Sequence, residues 1–229
     1  MELGGKSPNI VFADADLETA VAGAANAIFF NHGQCCCAGS RLYVQKQIFD
    51  EVVDGVTQHA RNIKVADGFN PESQMGPLVS EEQLNRVLVF LEAGRADGVK
   101  TVVGGNRIGD RGYFVEPTVL TGAHAGMKVV DEEIFGPVVC AIPFDEPDEV
   151  ATQMNQTTYG LAGAIWTKDI GNAHRLARAM KAGTFWINCY NVFDAALPFG
   201  GYKQSGWGRE MGREAIELYT EVKSVVVKV

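Results

Sequence analysis

Excess positive charge is the first thing this sequence lacks: 20 lysines and arginines stand against 28 aspartates and glutamates, a net charge of −8. Nonspecific binding to nucleic acid or to an anionic membrane calls for clustered cations, so neither is an expected partner. Long apolar runs are missing too. The longest weakly polar stretch, Ala20 to Phe30, is interrupted by Asn26 and is too short to span a bilayer. The opening Met1-Glu2-Leu3-Gly4-Gly5-Lys6 does not have the basic-then-apolar build of a secretory leader. No Cys-x-x-Cys spacing occurs, and five cysteines, an odd number and mostly contiguous, make no disulfide framework. A reducing, cytoplasmic setting is expected. The glycine-rich run Gly200 to Gly206 is neither a G-x-G-x-x-G turn nor a phosphate loop.

What is present suits a folded α/β protein. Apolar residues make up 46% of 229 positions, enough for a substantial core. Strand-like stretches are read at Ser7–Phe12, Leu42–Gln45, Val99–Val103, Tyr113–Leu120, Val138–Phe144, Leu161–Trp166, Thr184–Asn188 and Ser224–Val229. Pro117 pushes the fourth of these towards an edge or a bulge. Helices are read between them: one capped by Asp14 or Asp16 and closed by Gly33, Ile48–Ile63, Ser80–Ala96 with a Ser80-to-Gln83 capping box, Pro147–Asn155, Ile170–Lys181 closed by Gly183, and Arg213–Tyr219. Strands alternating with helices predict a three-layer fold, a mostly parallel sheet covered by helices. No repeat or linker divides it.

Three cysteines, Cys35, Cys36 and Cys37, sit side by side in a glycine-flanked segment after the first helix. In helical or extended backbone, three consecutive side chains point in different directions and would not converge on one metal, so no metal site is expected. Two readings remain: one cysteine is a nucleophile, or the run is small apolar filler. A thiol nucleophile needs a base or a lowered pKa, donors for the oxyanion it creates, and a group that resolves the covalent intermediate. Glu2, beside Gly4 and Gly5, is one candidate base. His32 is the histidine nearest the run in sequence, and pairing it with a cysteine is the protease-like alternative.

Four stretches then stand together. Glu2-Leu3-Gly4-Gly5-Lys6-Ser7-Pro8 resembles the glutamate signature of the aldehyde dehydrogenase superfamily. Gly33-Gln34-Cys35-Cys36-Cys37 resembles its cysteine signature, in which the nucleophile lies two residues after the glutamine, selecting Cys36. Glu132-Glu133-Ile134-Phe135-Gly136-Pro137 and Leu197-Pro198-Phe199-Gly200-Gly201-Tyr202-Lys203-Gln204-Ser205-Gly206 match the same family in the same order. The resemblance spans the whole chain but only the C-terminal half of a typical member. It implies a catalytic domain over residues 1–222 and an oligomerisation strand over 223–229, with the N-terminal coenzyme-binding domain absent from this chain.

The resemblance also implies chemistry. NAD or NADP would be held mainly by the absent domain. The Cys36 thiolate would attack an aldehyde to give a thiohemiacetal and then a thioester, and Glu2 would activate the water that releases a carboxylic acid. Glu133 would take the nicotinamide ribose hydroxyls, Phe135 would pack on the nicotinamide, and Leu3 and Gly4 would line the same channel, where a side chain at Gly4 would obstruct the cofactor. Cys35, Cys37, Phe193 and Phe199 would line the substrate tunnel, with a loop closer to the general aldehyde and retinal-type relatives than to betaine aldehyde enzymes. A homodimer or homotetramer formed through the last strand is the implied assembly, and an apolar face is expected where the coenzyme domain would dock. Two other readings stay open: a cofactor-independent thiol esterase using Cys36 and Glu2, and a non-catalytic oligomerisation module.

Overall fold

The computed structural model describes all 229 residues. Seven strands form one sheet: β1 (Pro8–Val11), β2 (Arg41–Gln45), β3 (Lys100–Val103), β4 (Thr118–Thr121), β5 (Val138–Phe144), β6 (Ala162–Trp166) and β7 (Thr184–Ile187). Their spatial order is β3-β4-β5-β2-β1-β6-β7. Every neighbouring pair is parallel except β3 with β4.

Side chains of a strand alternate between faces, and each face here has its own core. Val11, Val44, Val139 and Ala164 point to one side, where α1 (Leu17–Phe29) and α2 (Phe49–Asn62) pack. Ile10, Tyr43, Cys140 and Ile165 point to the other, beneath α3 (Glu81–Ala96), the single turn α4 (Lys128–Asp131), α5 (Pro147–Gln153) and α6 (Ile170–Ala179). This is the three-layer, mostly parallel arrangement expected from the alternation of elements. No helix is long and apolar enough to cross a membrane.

Caps act where the residue types allow them. Asp16 accepts from Thr19 N and starts α1. Asp169 does the same for α6 through Asn172 N. The α1 helix stops at Phe29, and Asn31 and His32 take left-handed conformations before Gly33.

Four local expectations are corrected. Only Thr118–Leu120 of the Tyr113–Leu120 stretch joins the sheet, with Thr121 completing β4, which lies inside it between β3 and β5. Pro117 precedes the strand, so its missing N–H costs no ladder bond, and the register shift falls in β3 between Thr101 and Val103. Helix α6 ends at Met180, ahead of Gly183. The Arg213–Tyr219 helix is a single turn, α7 (Glu214–Glu217). Residues 224–229 are not a strand of this sheet: they have no partner in the chain, and Val225, Val226, Val227 and Val229 are exposed. A strand's backbone bonds are supplied by a neighbour, and this segment has none within one chain.

Candidate active site

Ligand crevices of open α/β sheets usually lie beyond the carboxyl ends of the strands. Here the residues singled out by their motifs gather at the opposite edge. Glu2 to Gly5 lead into β1, Cys35 to Cys37 lead into β2, and Glu133 and Phe135 lead into β5. Because β1, β2 and β5 are parallel neighbours, their leading segments lie side by side.

Glu2 and Cys36 meet directly. The Cys36 thiol donates to Glu2 Oε1 at 3.0 Å, with both residues half-buried. Glu2 is no frayed end: its backbone bridges to Gly206, Leu3 N donates to Ser205 O at 3.0 Å, and Ser205 Oγ donates to Gly4 O at 2.7 Å. Ser205 is fully buried and also accepts from Gly160 N, so one hydroxyl ties the Glu2 segment to the chain two residues before β6. The backbone N–H of Cys36 donates to no group within the chain and is available to an oxyanion.

The three sulphurs converge, against the expectation from ideal backbone geometry. All lie within 4.8 Å of one another, and Cys35 Sγ and Cys37 Sγ are 3.4 Å apart. The reason is local: Cys36 and Cys37 form a turn, neither helix nor strand, with Ala38 N bonded back to Cys35 O. Hydrogen bonds from Cys36 and Cys37 hold the Cys35 thiol well below its usual range. The Cys36 thiol is pushed up by its neighbours Cys35 and Cys37, by burial and by Glu2, which accepts its proton. Cys37 is raised as well, first through Cys35.

Glu133 faces the same segment from β5. Its Oε1 accepts from Gly5 N at 3.0 Å, while Oε2 makes no hydrogen bond within the chain. Burial raises its carboxyl, opposed by the Gly5 N–H, Lys6 and Arg86. A Cβ built on Gly4 would fall 2.3 Å from Glu133 Oε2, so what a side chain there first obstructs is this carboxylate. Phe135 is half-buried with a positive φ of 59°. Its backbone is held by Gln83, whose amide donates to Ile134 O at 3.1 Å and Phe135 O at 2.7 Å. Ser80 accepts from Gln83 N as a capping box requires, but the Gln83 side chain leaves the box to support this loop. Arg86, one turn on, donates to Glu133 O at 2.6 Å. Cys35 borders a small void with Glu133 and Phe135.

The loop that follows β7 places the remaining candidates. Phe193 is exposed and meets Trp186 and Phe199 edge-on at 5.6 and 5.4 Å. Phe199 is buried and, with Glu2, Trp207, Met211 and Leu218, lines an open cleft of about 500 Å³. Leu3 is exposed beside Glu2. Sequence reasoning did not single out Tyr190, whose hydroxyl donates to Cys37 O at 2.7 Å, or Asn191, whose Oδ1 accepts from Cys37 Sγ at 3.6 Å. It also passed over Gln83 and Arg86, which act on backbone across the fold. Only Ser205 lay inside one of the four family motifs, and Gln83 was read solely as part of a capping box. The histidine alternative fails: His32 makes no hydrogen bond to a cysteine and instead lines a separate surface cavity with Phe30 and His59.

The profile of the aldehyde dehydrogenase family matches residues 1–225. The chain belongs to the aldehyde dehydrogenase family. It is 49% identical over 229 residues to the human mitochondrial aldehyde dehydrogenase, covering 100% of this chain and 44% of that protein. A solved NAD+ complex of an aldehyde dehydrogenase from Bacillus cereus superposes with a TM-score of 0.97 at 52% identity, covering 100% of this chain and 46% of that one. A betaine aldehyde dehydrogenase from Staphylococcus aureus, solved with NAD+, gives 0.92 at 44% identity over 95% of this chain and 44% of that one. The chain spans about half the length of these aldehyde dehydrogenases.

Proposed function

We propose that this chain is the C-terminal, catalytic part of an NAD(P)-dependent aldehyde dehydrogenase that converts an aldehyde to a carboxylic acid. The observation that carries this reading is the 3.0 Å contact between Cys36 Sγ and Glu2 Oε1, two residues from separate motifs. Glu2 takes the thiol proton and releases it to solvent through the cleft beside it. The Cys36 thiolate adds to the carbonyl carbon, and the oxyanion accepts from the Cys36 N–H. NAD(P)+, when bound, supplies the hydride acceptor that turns the thiohemiacetal into a thioester. Glu2, again a carboxylate, then removes a proton from water as that water attacks the thioester; the acid departs and Cys36 recovers its proton.

The residues fit the cofactor. Glu133 has one oxygen anchored on Gly5 N and the other unpaired, which leaves acceptor sites for the two hydroxyls of a ribose. Gly4 leaves the space in front of it clear, and Phe135 presents an aromatic face fixed by Gln83. Cys37 and Phe199 fit the apolar wall of a substrate passage, with Phe193 at its mouth and Cys35 on the Glu133 side. In this reading residues 1–222 form the catalytic domain, a separate coenzyme-binding domain completes the site, and residues 223–229 pair with another subunit in a dimer or tetramer. Five free cysteines suit a reducing compartment such as the cytoplasm.

Alkylation of the chain by iodoacetamide, with mass-spectrometric mapping, tests the pair without any cofactor. Glu2→Gln is expected to slow labelling of Cys36 at neutral pH by at least about tenfold, because the general base is lost. Equal labelling of Cys36 in both proteins would remove Glu2 from its role. A thiol esterase would use the same pair, and hydrolysis of an activated ester without NAD(P)+ would favour that reading.

A further inference from the structure

We propose that Cys35, Cys36 and Cys37 form a binding site for one thiophilic divalent d10 cation, zinc being the physiological member of that class, and that occupancy silences the Cys36 thiol. Three thiolates with a water in the fourth position are a tetrahedral donor set for such an ion. At the usual zinc–sulphur distance of ~2.3 Å, tetrahedral ligands lie about 3.8 Å apart. The sulphurs already lie within 4.8 Å of one another, with Cys35 and Cys37 at 3.4 Å. Shifts of about 1 Å or less in the sulphurs complete the three-thiolate geometry, and they fall on side chains whose backbone turn is already formed.

A second observation points the same way. Asn191 Oδ1 accepts from the Cys37 thiol, while its Nδ2 is buried with no partner. Once Cys37 gives up its proton to ligate, a half-turn of the amide puts Nδ2 on the thiolate, the outer support that ligating sulphurs require. Tyr190 pins the Cys37 carbonyl from beneath. On binding, each thiol that ligates releases its proton to solvent and no electrons are exchanged. The other two cysteines cannot contribute: Cys140 is buried against Val129 O, and Cys189 lies outside the cluster. The inference stands on the geometry of the resting chain and does not depend on Cys36 turning over an aldehyde.

The test is a titration of the reduced 229-residue chain with cadmium chloride, read by the ultraviolet cadmium–thiolate band, followed by competition with zinc chloride. The expected result is one ion per chain, displaced by zinc, with a band of three-thiolate intensity. Cys35→Ser and Cys37→Ser are each expected to weaken binding by at least about tenfold, a loss typical of removing a metal-site group. Cys189→Ser should leave it unchanged. Because Cys37 is buried and its variant could fail to fold, the wild-type chain carries an independent arm. Zinc should protect Cys35, Cys36 and Cys37 together from iodoacetamide. No band, a single-thiolate band, protection of Cys36 alone, or a full band in both serine variants would each overturn the proposal. Loss of the Glu2→Gln effect on alkylation with the cadmium band intact would sink the catalytic reading and leave the metal site standing.

Discussion

Gly4 and Gly5 are adjacent glycines with different constraints. A Cβ on Gly4 meets the end of the Glu133 side chain, which can swing away, whereas a Cβ on Gly5 would fall 2.3 Å from the backbone oxygen of Cys36. A side-chain tip moves cheaply and backbone in a packed turn does not. Gly5→Ala is therefore expected to destabilise the fold by about 1–3 kcal/mol, and Gly4→Ala by less than ~1 kcal/mol. Urea unfolding of the two variants checks the order; a larger loss at Gly4 would contradict it. The same residues show how far local pattern goes. The glutamate and cysteine motifs located Glu2 and Cys36, but the direction of the three thiols was misjudged because Cys36–Cys37 is a turn, a conformation whose side-chain directions no periodicity describes.

Among the elements, the segment leading into β1 bears the most connections. Lys6 is buried and donates through Nζ to Val129 O at 2.8 Å, tying that segment to α4, while its carbonyl accepts from Arg41 Nε on β2 at 2.8 Å. Burial is the main cause that lowers the Lys6 ammonium from 10.5 to about 8. Between these values the unfolded chain holds a proton that the fold has released, so the Lys6 contribution to stability rises with pH across that window. The gain is roughly 3 kcal/mol over the full interval. A Lys6→Met variant lacks it, so the stability of the natural chain relative to the variant should increase as pH climbs through the window. A difference that stays flat with pH would show that Lys6 is not buried as a cation at neutral pH. Helix α3 teaches a related lesson about legibility. Ser80 and Gln83 read as a capping box; the backbone half of that box forms, yet the Gln83 amide serves Phe135 instead, because the loop before β5 lies within its reach.

On the scale of the whole molecule, the terminal segment separates stability from assembly. Residues 220–229 bury nothing against the rest of the chain, and a β-branched run left unpaired is a template for another strand. Removing residues 223–229 should leave the unfolding free energy unchanged within about 0.5 kcal/mol. The same deletion should reduce self-association measured by light scattering or sedimentation. Unaltered association would move the subunit contact elsewhere.

The division between sequence and tertiary structure follows from the range of the forces involved. Most strands and helices and two of the caps were readable along the chain, because hydrophobic period and capping chemistry are local; the single turn α4 and the lack of a partner for residues 224–229 were not. The order of strands in the sheet was not, since pairing β5 with β2 and β1 with β6 depends on which faces cover each other. That order is what brings Glu2, Cys36 and Glu133 together at the amino ends of adjacent parallel strands. It also decides the supporting contacts of Gln83, Arg86, Ser205 and Tyr190. Residues far apart in the chain meet only when two elements dock, and docking is settled by the burial of both sheet faces at once, which no single window of sequence contains.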